Sequence, residues 1–259
     1  MRTRHFLILF ALLASVSSCI MIFDCIDGNG IMRTEERTIT SITSIANETS
    51  FYVVYRRSDT LSVTVEAESN ILPYIETDVR GGALEIKTDR ITRCLKPTDQ
   101  PRIVVTAPFI SELVNAGSGD IVAGPLEGDE VQVIVSGSGD IITSTIGCNM
   151  ANFIISGSGK IKTGTVESDN VKATISGSGS IQTGGNTITA RYVISGSGVL
   201  YAEDLLTDEA NITISGSGSV YTTVLQILDA TLSGSGNVYL YGDPDINFTR
   251  SGSGRVIKL

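Results

Sequence analysis

The sequence predicts an all-β protein folded as a parallel β-helix with coils of about 20 residues, expected to be right-handed. A Gly-Ser-Gly core recurs eight times after residue 116, at intervals of 18 to 20 residues. Periods of this length are typical of solenoids, in which each unit completes its core only by stacking on its neighbours. Around each core, β-branched residues alternate with polar ones, the pattern of a strand with one buried face.

The alternation also assigns the glycines to a face. Val171, Ala173 and Ile175 share one parity with Gly177 and Gly179, whereas the serines share the other parity. Successive side chains on a strand point to opposite faces, so the glycines are predicted to face the interior and the serines the solvent. Inward glycines suggest either two walls that approach closely or a corner with unusual backbone dihedrals. A flexible Gly/Ser linker would lack this alternation.

Stacked coils convert a linear period into columns of equivalent residues, about 4.8 Å apart. One outward column combines apolar, charged and aromatic residues: Val122, Ile142, Lys162, Gln182, Tyr201, Tyr221, Tyr239 and Ile257. Three adjacent tyrosines would offer flat amphipathic surfaces of the kind that bind sugar rings or a partner protein. The alternative is that a loop, the N-terminal segment or a neighbouring subunit covers this column.

A second outward column is acidic over two coils, at Asp120 and Asp140. Paired carboxylates can hold Ca²⁺ or act in glycoside hydrolysis. Later coils carry no acid at this position, so a solvated acidic edge is the competing interpretation. The outward serine columns supply no base to activate a nucleophile, and no catalytic residue is predicted.

Residues 37–112 are strand-like but less regular than the repeats. Strands are predicted around 51–55, 61–65, 84–86 and 103–105, with a turn at Gly81-Gly82 and a short helical turn within 70–75. This region is interpreted as irregular opening coils or a small β-cap. A cap is needed because a bare β-helix end exposes unpaired strand edges to other chains.

The N-terminus has the plan of an export signal: Arg2 and Arg4, an apolar run over 6–16, then small residues before Cys19. The segment Val16-Ser17-Ser18-Cys19 resembles the bacterial lipobox. This resemblance implies that Cys19 is lipidated and becomes the mature N-terminus. An ordinary secretory signal is the alternative. The predicted organisation is a lipoprotein signal peptide (1–18), a tether (19–36), an irregular β-region (37–112) and the β-helix (113–259).

Composition narrows the range of functions. The formal net charge is −9, which argues against nucleic acid as a partner. The single histidine, His5, lies within the signal, so the mature chain has no imidazole for acid-base chemistry or metal ligation, and no cofactor or metal is expected. Cys25, Cys94 and Cys148 permit one disulfide, and the sequence does not choose the pair.

Several segments resemble one bacterial family, the putative auto-transporter adhesin head GIN domain family common among Bacteroidetes-type lipoproteins. The matching stretches lie at 61–67, 70–72, 74–77, 82–86 and 136–141, within a resemblance that runs from about Ile39 to Leu259. The resemblance implies a β-helical fold and a surface location with an adhesin-like role. It supplies no catalytic residues.

The sequence therefore favours a non-enzymatic outer-membrane lipoprotein, facing the periplasm or the cell surface, that binds a glycan or an envelope partner. A second hypothesis is a structural protein that self-associates, for example as a trimer, through Val122, Ile142 and Ile154. A third is a pectinase-like polysaccharide-degrading enzyme, since such enzymes are often β-helices. Fold alone does not carry function, and the short loops disfavour this third hypothesis.

Overall fold

The computed structural model describes residues 25–89 and 94–259. The predicted signal peptide and the lipidation site Cys19 lie outside these residues. The described chain is almost entirely β and forms stacked parallel coils of about 20 residues, which confirms the predicted solenoid. None of its described segments is a helix of the length and apolar character needed to cross a membrane.

Strands account for nearly all of the regular structure, apart from one 3₁₀ turn at Leu72–Tyr74. The strands are β1 (Ile26–Asp27), β2 (Met32–Arg37), β3 (Ser44–Asn47), β4 (Tyr52–Arg57), β5 (Ser62–Glu68), β6 (Ile75–Arg80), β7 (Ala83–Thr88), β8 (Leu95–Lys96), β9 (Arg102–Ala107), β10 (Glu112–Asn115), β11 (Ile121–Ala123), β12 (Leu126–Val135), β13 (Ile141–Thr143), β14 (Thr145–Ile155), β15 (Lys160–Ile175), β16 (Ser180–Ile194), β17 (Val199–Ile214), β18 (Ser219–Leu232), β19 (Asn237–Tyr241), β20 (Asp245–Arg250) and β21 (Val256–Lys258).

Each regular coil consists of three straight segments. In the coil that begins at Lys160, residues 160–162, 165–168 and 170–175 pair in parallel with the next coil. The register shifts between Lys162 and Thr165, and pairing is interrupted without a shift at Asp169. We call the segments that precede each Gly-Ser-Gly core face 1, those that follow it face 2, and the remaining ones face 3. The eight cores form one corner of the rod, which makes about seven turns.

The core is a column of aliphatic side chains contributed by all three faces. Ile161 from face 2, Val166 from face 3 and Val171 from face 1 are all buried. In the next coil Ile181 and Ala190 occupy the equivalent positions on faces 2 and 1, whereas Gly185 takes the place of Val166. Burying a side chain of this kind stabilises the fold by about 1.5–3 kcal/mol. The buried apolar side chains of successive coils together form one hydrophobic core along the rod.

The serines and glycines of the corner point in the directions that the alternation predicts. The reason that glycine is required there differs from both of the reasons suggested by the sequence. The serines are exposed and the second glycine of each core, such as Gly139, is buried. These glycines do not have positive φ angles, and no opposite wall approaches them. Instead, a Cβ on Gly177 would overlap the carbonyl oxygen of Gly157 in the preceding coil, and a Cβ on Gly137 would overlap that of Gly117. Glycine is required because successive corners stack backbone against backbone.

The sequence-predicted elements of the N-terminal region are present. β4, β5, β7 and β9 match the four predicted strands, and the helical turn within 70–75 is the 3₁₀ turn. Gly81 and Gly82 join β6 to β7 with φ angles of 58° and 84°, a left-handed conformation that favours glycine.

The N-terminal region is both an opening coil and a cap. β3 and β4 form a coil that pairs in parallel with β10 and β11 above it and with β7 and β9 below it. Beyond these, β6 pairs antiparallel with β7, and β5 antiparallel with β9. The first coil in the sequence is therefore enclosed by strands that come later in the chain.

The chain also has structure before residue 37, within the stretch predicted as a tether. β1 pairs with β8 and β2 with β5, and a disulfide joins Cys25 to Cys94. Cys148 is a free thiol on face 3. This result identifies the one disulfide that the sequence allowed but did not assign.

A buried carboxylate fastens the N-terminal segment to the cap. Glu68 accepts hydrogen bonds from the backbone N–H groups of Gly30 (2.5 Å) and Thr98 (2.8 Å). The Gly30 bond, with help from the 98–99 backbone, lowers the pKa of Glu68 despite its burial. Glu68 therefore stays ionised. Its carboxylate joins the segment that follows Cys25 to the segment that follows Cys94.

We expect Gly177→Ala to destabilise the coil stack, because its methyl group would overlap the carbonyl oxygen of Gly157. Overpacking of this kind costs about 1–3 kcal/mol or more. The matched control is Gly147→Ala, since nothing lies within 4 Å of a Cβ at Gly147. Chemical denaturation followed by far-UV circular dichroism measures both changes. Equal losses of stability in the two variants would show that corner stacking is not what requires glycine.

Candidate binding face

The predicted mixed column lies on face 2 in continuous register. Val122 pairs with Ile142, Ile142 with Lys162, and so on through the tyrosines to Ile257. Tyr201 is 38% exposed, and Tyr221 and Tyr239 are half-buried. No described loop or N-terminal segment covers Tyr201. The residues expected to share a column are thus aligned on one accessible wall.

The three tyrosine rings form a stack, which we call the tyrosine ladder. The ring centroids of Tyr201 and Tyr221 lie 5.3 Å apart at 16°, and those of Tyr221 and Tyr239 lie 4.5 Å apart at 9°. Two rings lying side by side in one plane could not have centroids this close together, so neighbouring rings overlap face to face. The ladder therefore does not present three flat surfaces, as the sequence suggested. It presents ring edges and hydroxyls, and the side of Tyr201 away from Tyr221, next to Gln182, is not stacked on another ring in the described chain.

Tyr241 extends the aromatic surface. It follows Tyr239 by two residues, points outward with the same parity and is 38% exposed. Its electrostatic influence reaches Tyr221, whose pKa is raised mainly by burial and further by the surrounding tyrosines and Glu203. The alternation that assigned Tyr239 to the outer face also assigns Tyr241, so this residue could have been found from the sequence.

Glu203 lies beside the ladder and is less easily foreseen. Its Oε2 is shielded from solvent and has no hydrogen-bond partner in the structure, while its backbone carbonyl accepts a hydrogen bond from Thr223 (2.6 Å). The register between β17 and β18 shifts between Ala202 and Leu206. Because of this shift, the coil period does not predict the position of Glu203.

A hollow of about 520 Å³ opens on the side of Tyr201 that faces away from Tyr221. Its walls include Ile142, Lys160, Lys162, Gln182 and Tyr201. Both lysines are exposed, and neither forms an ion pair with a described residue. One aromatic ring, one amide, one carboxylate from Asp140 and two ammonium groups therefore line the same concave surface.

The acidic column has a structural role in the coil stack. Asp120 Oδ1 accepts the backbone N–H of Asp140 (2.9 Å), and Asp140 Oδ1 accepts that of Lys160 (2.8 Å). Asn237 makes the same bond to Arg255 (3.0 Å). No group of three or more His, Cys, Asp or Glu residues suited to a metal ion occurs among the described residues. The Ca²⁺ role of this column stays a prediction.

The three residues proposed for self-association do not form one patch. Val122 and Ile142 lie on face 2, whereas Ile154 lies on face 1, where it pairs with Ile134 and Thr174. Of the three, Ile142 is clearly exposed, and the other two are half-buried. An interface that used all three would have to wrap around the Gly-Ser-Gly corner.

The chain is similar in sequence and in fold to several known proteins. The family described as putative auto-transporter adhesin, head GIN domain, matches residues 42–244. A putative adhesin from Parabacteroides merdae has a TM-score of 0.85 at 23% identity, with 91% of this chain and 99% of that one covered. A putative lipid binding protein from Parabacteroides distasonis has a TM-score of 0.80 at 29% identity, with 91% and 100% covered. No curated protein matches the chain.

We expect Asp140→Ala to destabilise the coil by about 0.5–1.5 kcal/mol, because the Lys160 N–H loses its acceptor. Asp140→Asn is the matched variant and should retain most of the stability, since Asn237 already makes this bond in a later coil. Thermal unfolding with and without CaCl₂ measures both. A rise in melting temperature with Ca²⁺ that Asp140→Asn abolishes would instead support a calcium site.

Proposed function

Because the chain belongs to the putative auto-transporter adhesin head GIN domain family, we propose that it is a non-enzymatic binding module of the cell envelope that holds a glycan on face 2. The observation that carries this proposal is the position of Tyr201, 38% exposed, at the end of the ladder and at the edge of a concave hollow that also holds an amide and two ammonium groups. The apolar C–H face of a sugar packs well on an aromatic ring, while its hydroxyls need polar partners around the rim.

The ladder would make this site rigid before a ligand arrives. Tyr221 packs against one face of Tyr201, and Tyr239 packs against Tyr221 in turn. A side chain held in its bound orientation loses little entropy on binding, which favours affinity. The Gln182 amide can both donate to and accept from sugar hydroxyls at the same hollow.

The absence of an enzymatic role is part of the proposal. The family and the solved neighbours are described as adhesins or as a binding protein. The outward serines have no histidine base in the mature chain, since His5 is the single histidine. We therefore do not favour the pectinase-like alternative.

A lipid and a second copy of the chain are the two alternatives to a glycan as the partner of face 2. The 29% identical neighbour is described as a putative lipid binding protein, which makes a lipid the second candidate. Self-association through apolar residues of face 2 is the third, because Ile142 is 40% exposed. Each alternative predicts a different result in the first experiment below.

We expect Tyr201→Gln to weaken glycan binding about tenfold, equivalent to about 1.4 kcal/mol. Glutamine occupies the equivalent position one coil earlier, at Gln182, so the coil should tolerate the change. Ile188→Gln, at an exposed site away from face 2, is the control. Glycan arrays identify a ligand, and calorimetry measures its affinity.

Binding that survives in Tyr201→Gln would contradict the proposal. Binding to phospholipid vesicles alone would favour the lipid alternative. A stable oligomer in sedimentation experiments, without glycan or lipid binding, would favour self-association.

We also propose that Cys19 carries a lipid that anchors the chain in the outer membrane. Cys19→Ser should move the protein from the membrane fraction to the soluble fraction of a Gram-negative host and abolish labelling with an alkyne fatty acid. Cys148→Ser, which removes the free thiol of face 3, should change neither result. Membrane retention of Cys19→Ser would refute the anchor.

A further inference from the structure

Two cations of face 2 lie beside Tyr201, although the chain as a whole is acidic. The whole sequence has a formal net charge of −9, yet Lys160 and Lys162 both line the hollow beside Tyr201. Asp140 lines the same hollow, but its Oδ1 is occupied by the Lys160 N–H. Two lysines and one aspartate give the lining of this hollow a formal charge of +1, while Glu203 lies outside it beside the ladder.

A second hollow on face 2, of about 530 Å³, repeats this character nearer the N-terminal cap. Its lining includes Tyr52, Arg56, Arg57, Arg102 and Val122. Of the three arginines, Arg57 forms an ion pair, with Glu127, and the structure gives none to Arg56 or Arg102 among the described residues.

Arg102 has an unmet hydrogen-bonding capacity. Its Nε is shielded from solvent and has no hydrogen-bond partner in the structure. A buried donor without a partner is costly, and a planar guanidinium is suited to two parallel bonds with a carboxylate. Because the Nε itself is shielded, an anionic ligand in this hollow would have to draw the guanidinium outward to reach it.

The two hollows lie along one straight path. Val54 pairs with Val122, Val122 with Ile142, and Ile142 with Lys162. Three coil steps of about 4.8 Å place the hollows about 14 Å apart along the rod axis. The column residues between the hollows, Val122 and Ile142, are apolar. Asp120 and Asp140 precede them by two residues on the same outward side, and each has one carboxylate oxygen bound to a backbone N–H of the next coil.

We infer that face 2 binds an anionic polysaccharide that runs parallel to the rod, with uronic-acid carboxylates at Lys160 and Lys162 and again at Arg102. One sugar ring packs on Tyr201 between these charges and the ladder. This inference rests on the proposed glycan-binding function and adds the chemical class of the glycan and its direction on the protein.

The test compares polygalacturonate with its fully methyl-esterified form, which has the same backbone without the charge. We expect at least tenfold tighter binding of the charged polymer by calorimetry, with the difference shrinking as NaCl rises from 50 to 300 mM. The double variant Lys160→Ser, Lys162→Gln should lose at least tenfold in affinity. These are the residues found one coil later, at Ser180 and Gln182, so the fold should tolerate them.

Lys172→Asn is the matched control, because it removes one lysine from face 1 and introduces the residue found one coil earlier, at Asn152. It should bind as the parent chain does. Oligogalacturonates long enough to span both hollows should bind more tightly than short ones, and Arg102→Gln should remove that gain.

Each outcome separates the two levels of the proposal. Equal binding of both polymers, lost in Tyr201→Gln, would overturn the anionic class and leave the glycan site in place. Binding of dextran sulfate but not polygalacturonate would overturn the carboxylate assignment. Binding of no polymer or array glycan would overturn both the inference and the proposed function.

Discussion

The rest of the structure depends on the close stacking of the Gly-Ser-Gly corners. At each corner the backbone of one coil lies so near the carbonyl oxygens of the preceding coil that a Cβ cannot be accommodated, as at Gly157 and Gly177. This contact pins successive coils at one point of their circumference. Parallel pairing then carries the register from the corner to the neighbouring faces, so residues one period apart stand directly above one another.

Much of this arrangement could be predicted from the sequence because it follows from period and parity. The column from Val122 to Ile257 and the outward serines required only the count between glycines and the alternation around them. The cap could not be predicted in the same way. β3 and β4 lie between strands that come later in the chain, and no local pattern records which distant strands pair. The Cys25–Cys94 bond depends on that same packing.

Two features of the candidate site also could not be predicted from the coil period alone. In-register parallel strands place equivalent side chains about 4.8 Å apart, which is close to the separation at which aromatic rings stack. The register therefore places the tyrosine rings in contact with one another. Most of the ring faces that the sequence suggested were available for a ligand are covered by neighbouring tyrosines. What remains is the end of the stack at Tyr201. The position of Glu203 does not follow from the sequence because this residue lies at a register shift, where the number of residues per coil no longer assigns a position.

A rod with a fixed repeat is suited to ligands that also repeat. Groups on one face are separated by whole coil steps, and the continuous aliphatic core leaves the wall little freedom to change those separations. A long polymer can then contact several weak sites at once, and each additional contact is made at high effective concentration. The acidic surface elsewhere would repel an anionic chain, so the cations of face 2 would define both its path and its direction along the rod.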